Sequence, residues 1–232
     1  MQLRPSGGAG PTAVSLEAFR RYYANDAWPW EKLALVKART IAGDAAVRAS
    51  VEAAIDAVID APRDVVAMVD DAEAMRARLR KEKPNRSMWD LKTAPGGMTE
   101  LDFAVAMLAL AHGADIGVER PLRRDQFFAR LQAAGLLGAD EGNDLLSADA
   151  KFEKVLQLQR ASNGAREINM AADAVAMRQR VTTALGATDF DAAAAAIERS
   201  QAAVSRRYAA IVERLRNPGG APSPAQQRRN DG

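Results

Sequence analysis

The sequence predicts a mainly α fold, a helical bundle with a small non-helical remnant at its front. Three observations carry that prediction. Roughly one residue in five of the 232 is alanine, aromatics make up only 5%, and β-branched runs are few, which favours helix over sheet. Capping residues recur ahead of stretches whose apolar residues fall at helical spacing. Short polar loops marked by Gly or Pro separate those stretches, with no internal repeat of fixed period. The hydrophobic content of 48% is ample for a buried core.

Taken in order, residues 1–12 are rich in Gly and Pro and read as a strand end or loop. Ser15 caps a first helix over 16–24. Trp28 followed by Pro29 starts a second, because proline suits the first helical turn, and this one runs to about Ala42 and stops at Gly43. Asp44 caps a third to about Ala61. Beyond the break at Pro62 and Arg63, a long amphipathic helix extends from Asp64 to about Lys83, where Pro84 ends it. Residues 85–98 read as a structured loop, since they include Trp89, Leu91 and a Pro95-Gly96-Gly97 turn. Thr99 with Asp102 makes a capping box for a helix over 100–111, apolar all round and therefore central. Further helices are expected at 124–134, 140–161, 167–185 and 189–216, the last capped by Thr188 with Asp191. The tail from Asn217 has the composition of a disordered segment.

Composition narrows the chemistry. With 32 Lys+Arg against 30 Asp+Glu, the formal charge of +2 is too balanced for a protein that grips nucleic acid broadly. The absence of cysteine excludes disulfides, thiolate metal sites and thiol nucleophiles, and fits a cytoplasmic location. One histidine, His112, argues against serine–histidine catalysis and rules out a multi-histidine metal site. No apolar stretch approaches the ~18 residues of a membrane span, and the N-terminus lacks the apolar core of a signal peptide, so no membrane partner is expected.

Individual candidates are modest. His112 lies in line with Leu101, Val105 and Leu108 and reads as a histidine at the edge of the core. Arg76, Arg78, Arg80, Lys81, Lys83 and Arg86 beside Trp89 could hold phosphate or single-stranded nucleic acid, but Arg76 and Arg80 share a face with Glu73 and a salt-bridged, solvated face is the simpler reading. Trp28 and Trp30 read as an anchor between layers, with Glu31 placed where a helix N-terminus favours an acid. Glu100 and Asp102 could be paired carboxylates, yet two residues apart on a helix their side chains diverge by roughly 200°. No metal site is expected within the chain.

In combination these features are more specific. Leu3 to Gly7, then Ser15, Phe19 and Tyr22, then Ala27 with Trp28, Trp30 and Glu31, Ala38-Arg39 and Gly43-Asp44 resemble the end of the C-terminal nucleotidyltransferase domain of the bacterial glutamine synthetase adenylyltransferase family. Met75 to Arg78, Asp90-Leu91-Lys92, Pro95-Gly96-Gly97 and Glu100 to Phe103 are similar to that family's helical domain. The likeness runs over residues 3–112, with Gln2, the Glu-then-Asp order of the acidic pair and Ala106 as departures, and is architectural beyond 113. The Ala-Trp-x-Trp-Glu pattern is similar to the adenylylating half of these enzymes.

The resemblance implies three parts: residues 1–43 as the edge of an α/β nucleotidyltransferase domain, 44–216 as a helical domain of the PII-uridylyltransferase-associated kind, and 217–232 as the disordered tail. It implies transfer of AMP from ATP to a tyrosine of glutamine synthetase, in nitrogen regulation, with Mg²⁺ held by three carboxylates. Two of those acids follow a Gly-Ser turn and the third sits just before the Leu3 to Gly7 motif, so all three are expected outside this chain, which is expected to be a fragment inactive by itself. Arg4 and Arg39 are the residues expected near nucleotide or substrate, and Asp90, Lys92, Gly96, Gly97, Glu100 and Asp102 mark the helical domain. The implied partners are glutamine synthetase and the PII signal protein. A helical interaction module without enzymatic activity is the alternative.

Overall fold

A computed structural model of the chain describes residues 13–85, 87–117, 121–163 and 174–217. Among these, nine helices and no strand occur: α1 (Leu16–Asn25), α2 (Pro29–Leu35), α3 (Ala45–Ile59), α4 (Val65–Glu82), α5 (Met98–Ile116), α6 (Arg124–Ala133), α7 (Ala139–Asn163), α8 (Ala174–Leu185) and α9 (Phe190–Arg216). The mainly α expectation is met. The expected remnant at residues 1–12, with Arg4 in it, and the expected tail beyond Asn217 lie outside the described residues.

Local chemistry starts four of the described helices where side-chain acceptors stand ready. Ser15 Oγ accepts from the Ala18 N–H at 3.1 Å, Asp44 Oδ1 from Val47 at 2.9 Å and Asp64 Oδ1 from Ala67 at 3.0 Å, each satisfying an N–H that the helix itself leaves unpaired. For α9 the cap is Asp189 rather than Thr188: its backbone is extended (φ −151°) and its Oδ1 accepts from Ala192 at 2.7 Å. That bond, with a second from the Thr188 hydroxyl, holds the Asp189 carboxyl below the usual carboxylate range.

Two further boundaries differ from expectation. α2 ends at Leu35 instead of near Ala42, because Ala38 N–H bonds back three residues to Leu35 (2.8 Å) and the chain then leaves the helix so that the Thr40 hydroxyl reaches Glu52 on α3. α5 begins at Met98, and the Thr99 capping box does not form. The Thr99 hydroxyl donates to the Lys92 carbonyl, while the Met98 and Thr99 N–H groups bond to the carbonyls of Leu91 (2.7 Å) and Lys92 (3.2 Å). The preceding turn therefore satisfies the first N–H groups of α5. The start expected at residue 167 lies outside the described residues, which resume with α8.

The chain divides into two compact units, and the division falls inside α4, after Met75, and inside α5, after Ala104. In the unit built from residues up to 75 with 105–134, α1 and α2 pack on α3, burying Tyr23, Leu33, Leu35, Ile55 and Ile59, and α6 buries Phe127, Phe128 and Leu131. Arg130 Nη1 caps the end of α5 by donating to the carbonyls of Ile116 and Gly117. In the unit of residues 76–104 with 135 onward, α7, α8 and α9 pack on one another around Phe152, Val155, Val181, Ile197, Val204 and Ile211, all fully buried. As expected, α5 is buried nearly all round, from Leu101 through Leu110 except Asp102.

The Pro95-Gly96-Gly97 turn is where this second unit closes most tightly. Gly96 has φ +69°, and a Cβ there would lie 1.8 Å from the Gln201 carbonyl oxygen on α9; one at Gly97 would lie 2.4 Å from the Leu91 carbonyl oxygen. Only glycine fits, since the backbones themselves are in contact. Gly96→Ala combines left-handed strain with a backbone clash and is expected to cost about 3 kcal/mol or more, read as a lower urea midpoint followed by circular dichroism.

Candidate functional site

Of the expected motif residues of the helical domain, Gly96 and Glu100 meet at one buried carboxylate. Glu100, in the first turn of α5, is 4% exposed. Its Oε1 accepts from Arg76 Nη1 at 3.0 Å and from Arg80 Nη2, both on the last turns of α4. Its Oε2 accepts from the Gly96 N–H at 3.0 Å and from the Ser205 hydroxyl of α9 at 3.2 Å. Four donors from three separate segments thus satisfy one acid, which is what makes its burial tolerable. Arg76 also lies over the Tyr208 ring, 4.8 Å from its centroid. The basic end of α4 is accordingly split in function: Arg78 pairs with Glu82 on an exposed face, whereas Arg76 and Arg80 turn inward to Glu100.

The loop of residues 87–97 is fastened by two buried amides. Gln159 Nε2 on α7 donates to the Trp89 carbonyl, and Gln201 Nε2 on α9 to the Met88 carbonyl, both at 2.8 Å. Trp89 is buried and stacked on Phe190, with ring centroids 5.3 Å apart, and Arg178 lies 5.0 Å above the other ring of that stack. Its indole is therefore engaged inside the protein rather than offered to a nucleobase. Asp90 sets the turn, its carbonyl accepting from Thr93 and Ala94 and its carboxylate from the Thr93 hydroxyl. Lys92 contributes its carbonyl to the start of α5 while its side chain is exposed. Asp102 is half-buried on a different side of α5 from Glu100 and does not join it, as the helical spacing implied. Neither glutamine was legible beforehand, because nothing local distinguishes Gln159 or Gln201 from other helix-surface amides.

The other unit repeats the device. Glu31, 5% exposed, accepts from the Tyr22 hydroxyl at 2.9 and 2.8 Å and from the Trp28 N–H at 2.9 Å, the return half of a capping box at the start of α2. Burial first, then the Glu31 charge, pushes the neighbouring Tyr23 hydroxyl up to about 12. Trp28 is no anchor between layers: it is 67% exposed, and its backbone N–H donates to Glu31 Oε2. Arg39 is exposed on the connection between α2 and α3. His112 is half-buried on α5, in keeping with a position at the edge of the core.

Mg²⁺ and its nucleotide need a convergent set of carboxylate oxygens. Among the described residues no group of three or more His, Asp or Glu side chains converges to hold a metal ion, and the two buried acids are saturated by arginine, hydroxyl and backbone donors, so these residues do not fit such an ion. No helix among them is long and apolar enough to cross a membrane.

The tight glycine turn and the buried acid after it belong to a helical unit in which α7, α8 and α9 pack on one another. Residues 66–216 match the family described as GlnD PII-uridylyltransferase, and residues 1–54 match glutamate-ammonia ligase adenylyltransferase. The chain belongs to the glutamine synthetase adenylyltransferase family. It is 34% identical to the bifunctional glutamine synthetase adenylyltransferase/adenylyl-removing enzyme of a Bradyrhizobium species over 216 residues, covering 92% of this chain and 22% of that protein. The enzymes of the same name from Caulobacter vibrioides (34% over 218 residues, 92% and 22%) and Brucella suis (44% over 131 residues, 56% and 13%) are also similar. The chain thus spans about a fifth or less of the length of these relatives.

Two outcomes follow from the geometry. Glu100→Gln leaves Arg76 and Arg80 facing a neutral group and is expected to lower stability by about 3 kcal/mol, measured by urea unfolding. For Tyr23 the folded hydroxyl titrates above its ordinary value of 10.0, at about 12, so its contribution to stability is complete below pH 10 and is lost as pH rises toward 12. Tyr23→Phe should unfold with a shallower pH dependence than the wild type across that window, as read by thermal melts.

Proposed function

We propose that this chain is the helical part of the adenylylating half of a glutamine synthetase adenylyltransferase. Residues 1–43 form the edge of the nucleotidyltransferase domain and 44–216 the helical domain. That the chain has two such parts is supported by the change of matched family, which falls between residues 54 and 66. The activity to which it contributes is transfer of AMP from ATP to a tyrosine of glutamine synthetase, a cytoplasmic step in nitrogen regulation. Arg4 and Arg39 would lie toward the nucleotide or the substrate tyrosine. Mg²⁺ supplies charge neutralisation on the triphosphate when bound, and its ligands are not among the residues of this chain.

The observation that carries the reading is the Glu100 centre, in which Arg76 and Arg80 of α4, Gly96 of the glycine turn and Ser205 of α9 meet around a single acid of α5. Such a construction gives a rigid helical platform rather than a reaction centre. Its role is to dock glutamine synthetase or the PII signal protein. No Gly-Ser pair followed by Asp-x-Asp occurs in the 232 residues, so the polypeptide by itself is not expected to catalyse transfer. The second reading, a helical interaction module without enzymatic activity, fits the finding that no group of three or more acidic or histidine side chains converges among the described residues.

Incubation of the purified chain with ATP, Mg²⁺ and glutamine synthetase should leave the synthetase unmodified by mass spectrometry, whereas a pull-down should retain either the synthetase or PII. Robust AMP transfer would refute the assignment of the chemistry to residues outside the chain. Binding to neither protein would sink the docking role.

A further inference from the structure

We propose that the exposed first turns of α3, with Ile41 just ahead of them, are the face on which the nucleotidyltransferase domain of the longer enzyme seats. The inference rests on the reading of this chain as the helical part of an adenylyltransferase. α3 carries an apolar stripe at helical spacing: Val47, Val51, Ala54, Ile55, Val58 and Ile59. The later part of the stripe is covered, since Ala54, Ile55 and Ile59 are buried where α1 and α2 pack on the helix. The earlier part is not. Every residue from 41 to 50 is exposed, Val47 by 53% and Ile41 by 84%. Within one continuous helix capped at Asp44, the stripe therefore outruns its cover by about two turns.

The distribution of exposed apolar groups says what the missing cover is. Of six large apolar side chains that stand exposed among the described residues, four (Val14, Trp28, Ile41 and Val47) fall within residues 1–54, the stretch that matches the adenylyltransferase family. That match ends inside α3, where burial of the stripe begins. The relatives are far longer, this chain covering 22% of the Bradyrhizobium enzyme. Apolar surface concentrated in the part shared with that family is what one side of a domain contact presents. Charge adds the chemistry of the other side. Arg39 and Arg48 are exposed and stand beside Ile41 and Val47 in the chain, whereas the acids nearby are engaged, Asp44 by the Val47 N–H and Glu52 by the Thr40 hydroxyl. The face thus fits an apolar surface edged by carboxylates.

Amide hydrogen exchange tests the assignment, because an uncovered helix end opens more readily than a covered one. Residues 48–51 are compared between the 232-residue chain and the full-length Bradyrhizobium enzyme, each rate corrected for its intrinsic value. The aligned segment should exchange about tenfold more slowly in the full-length enzyme, while the segment aligned with 55–59, covered in both, should differ by less than about threefold. Equal protection at 48–51, or an equal gain at both segments, overturns the proposal. In the 232-residue chain, Val47→Asp should leave the urea midpoint in place and Ile55→Ala should lower it. A fall with Val47→Asp as large as that with Ile55→Ala would mean that this chain already covers the face, and the proposal fails. Sedimentation should show a monomer; a dimer dissolved by Ile41→Asp and Val47→Asp would give the face to a second copy and likewise overturn it. The pull-down with glutamine synthetase and PII reads the docking role and the exchange comparison reads this face, so either can fail without the other.

Discussion

The unit of residues 76–104 and 135 onward depends on the neutralisation of one carboxylate. Placing Glu100 in a site that is 4% exposed would be prohibitive for an isolated charge. It is tolerated because Arg76, Arg80, the Gly96 N–H and Ser205 supply four donors from α4, the glycine turn and α9. Each of those segments is thereby pinned to a common point, and the contacts around it become obligatory. The Gly96 N–H can reach Oε2 only if the turn lies against α9, and it can lie there only without a Cβ. The acid and the glycine therefore specify each other.

An organising charge of this kind is specific in a way that apolar packing is not. Leucine and valine cores accept many registers, whereas a carboxylate with four donors at 3 Å accepts one. The Gln159 and Gln201 amides extend the same logic to the loop, since each saturates a backbone carbonyl that the stack of Trp89 on Phe190 takes out of water. Glu31 does for α1 and α2 what Glu100 does here, on a smaller scale: one tyrosine hydroxyl and one backbone N–H replace the arginines. Both acids stand in the first turn of a helix, where the dipole already favours negative charge and lowers the cost of burial.

Much of this was legible one helix at a time. Ser15, Asp44 and Pro84 marked helix boundaries through rules that act within four residues, and the apolar residues all round α5 foretold its burial. What local rules could not rank was Glu100 against Asp102, because two acids two apart at a helix start look alike until a partner 105 positions away chooses between them. Trp28 failed for a related reason. Its chemical type suggested an anchor, but a residue's type does not say which way it faces, and the indole is 67% exposed at the start of α2. Thr99 and Thr188 were each displaced as caps by a stronger neighbour, the closed turn at 91–92 in one case and the Asp189 carboxylate in the other.

Gly96, Gly97, Glu100, Asp90 and Lys92, expected from the resemblance, are engaged in turns and helix starts. Gly96, Gly97 and Glu100 touch one another's segments rather than a cavity, and Asp90 and Lys92 shape the turn that feeds α5. A motif of this sort marks a place where several parts of a fold must agree at once, so that a change in any one of them leaves a charge or a backbone group stranded. Reactive groups obey a looser rule. They need an approach path and an unspent charge, which Glu100 and Glu31 lack because every donor around them is already committed. Among the described residues, groups open to approach stand on the outside of the packed helices, as the Trp28 indole and the Lys92 side chain do. The interior accordingly sets what the protein is, and its exterior sets what it meets.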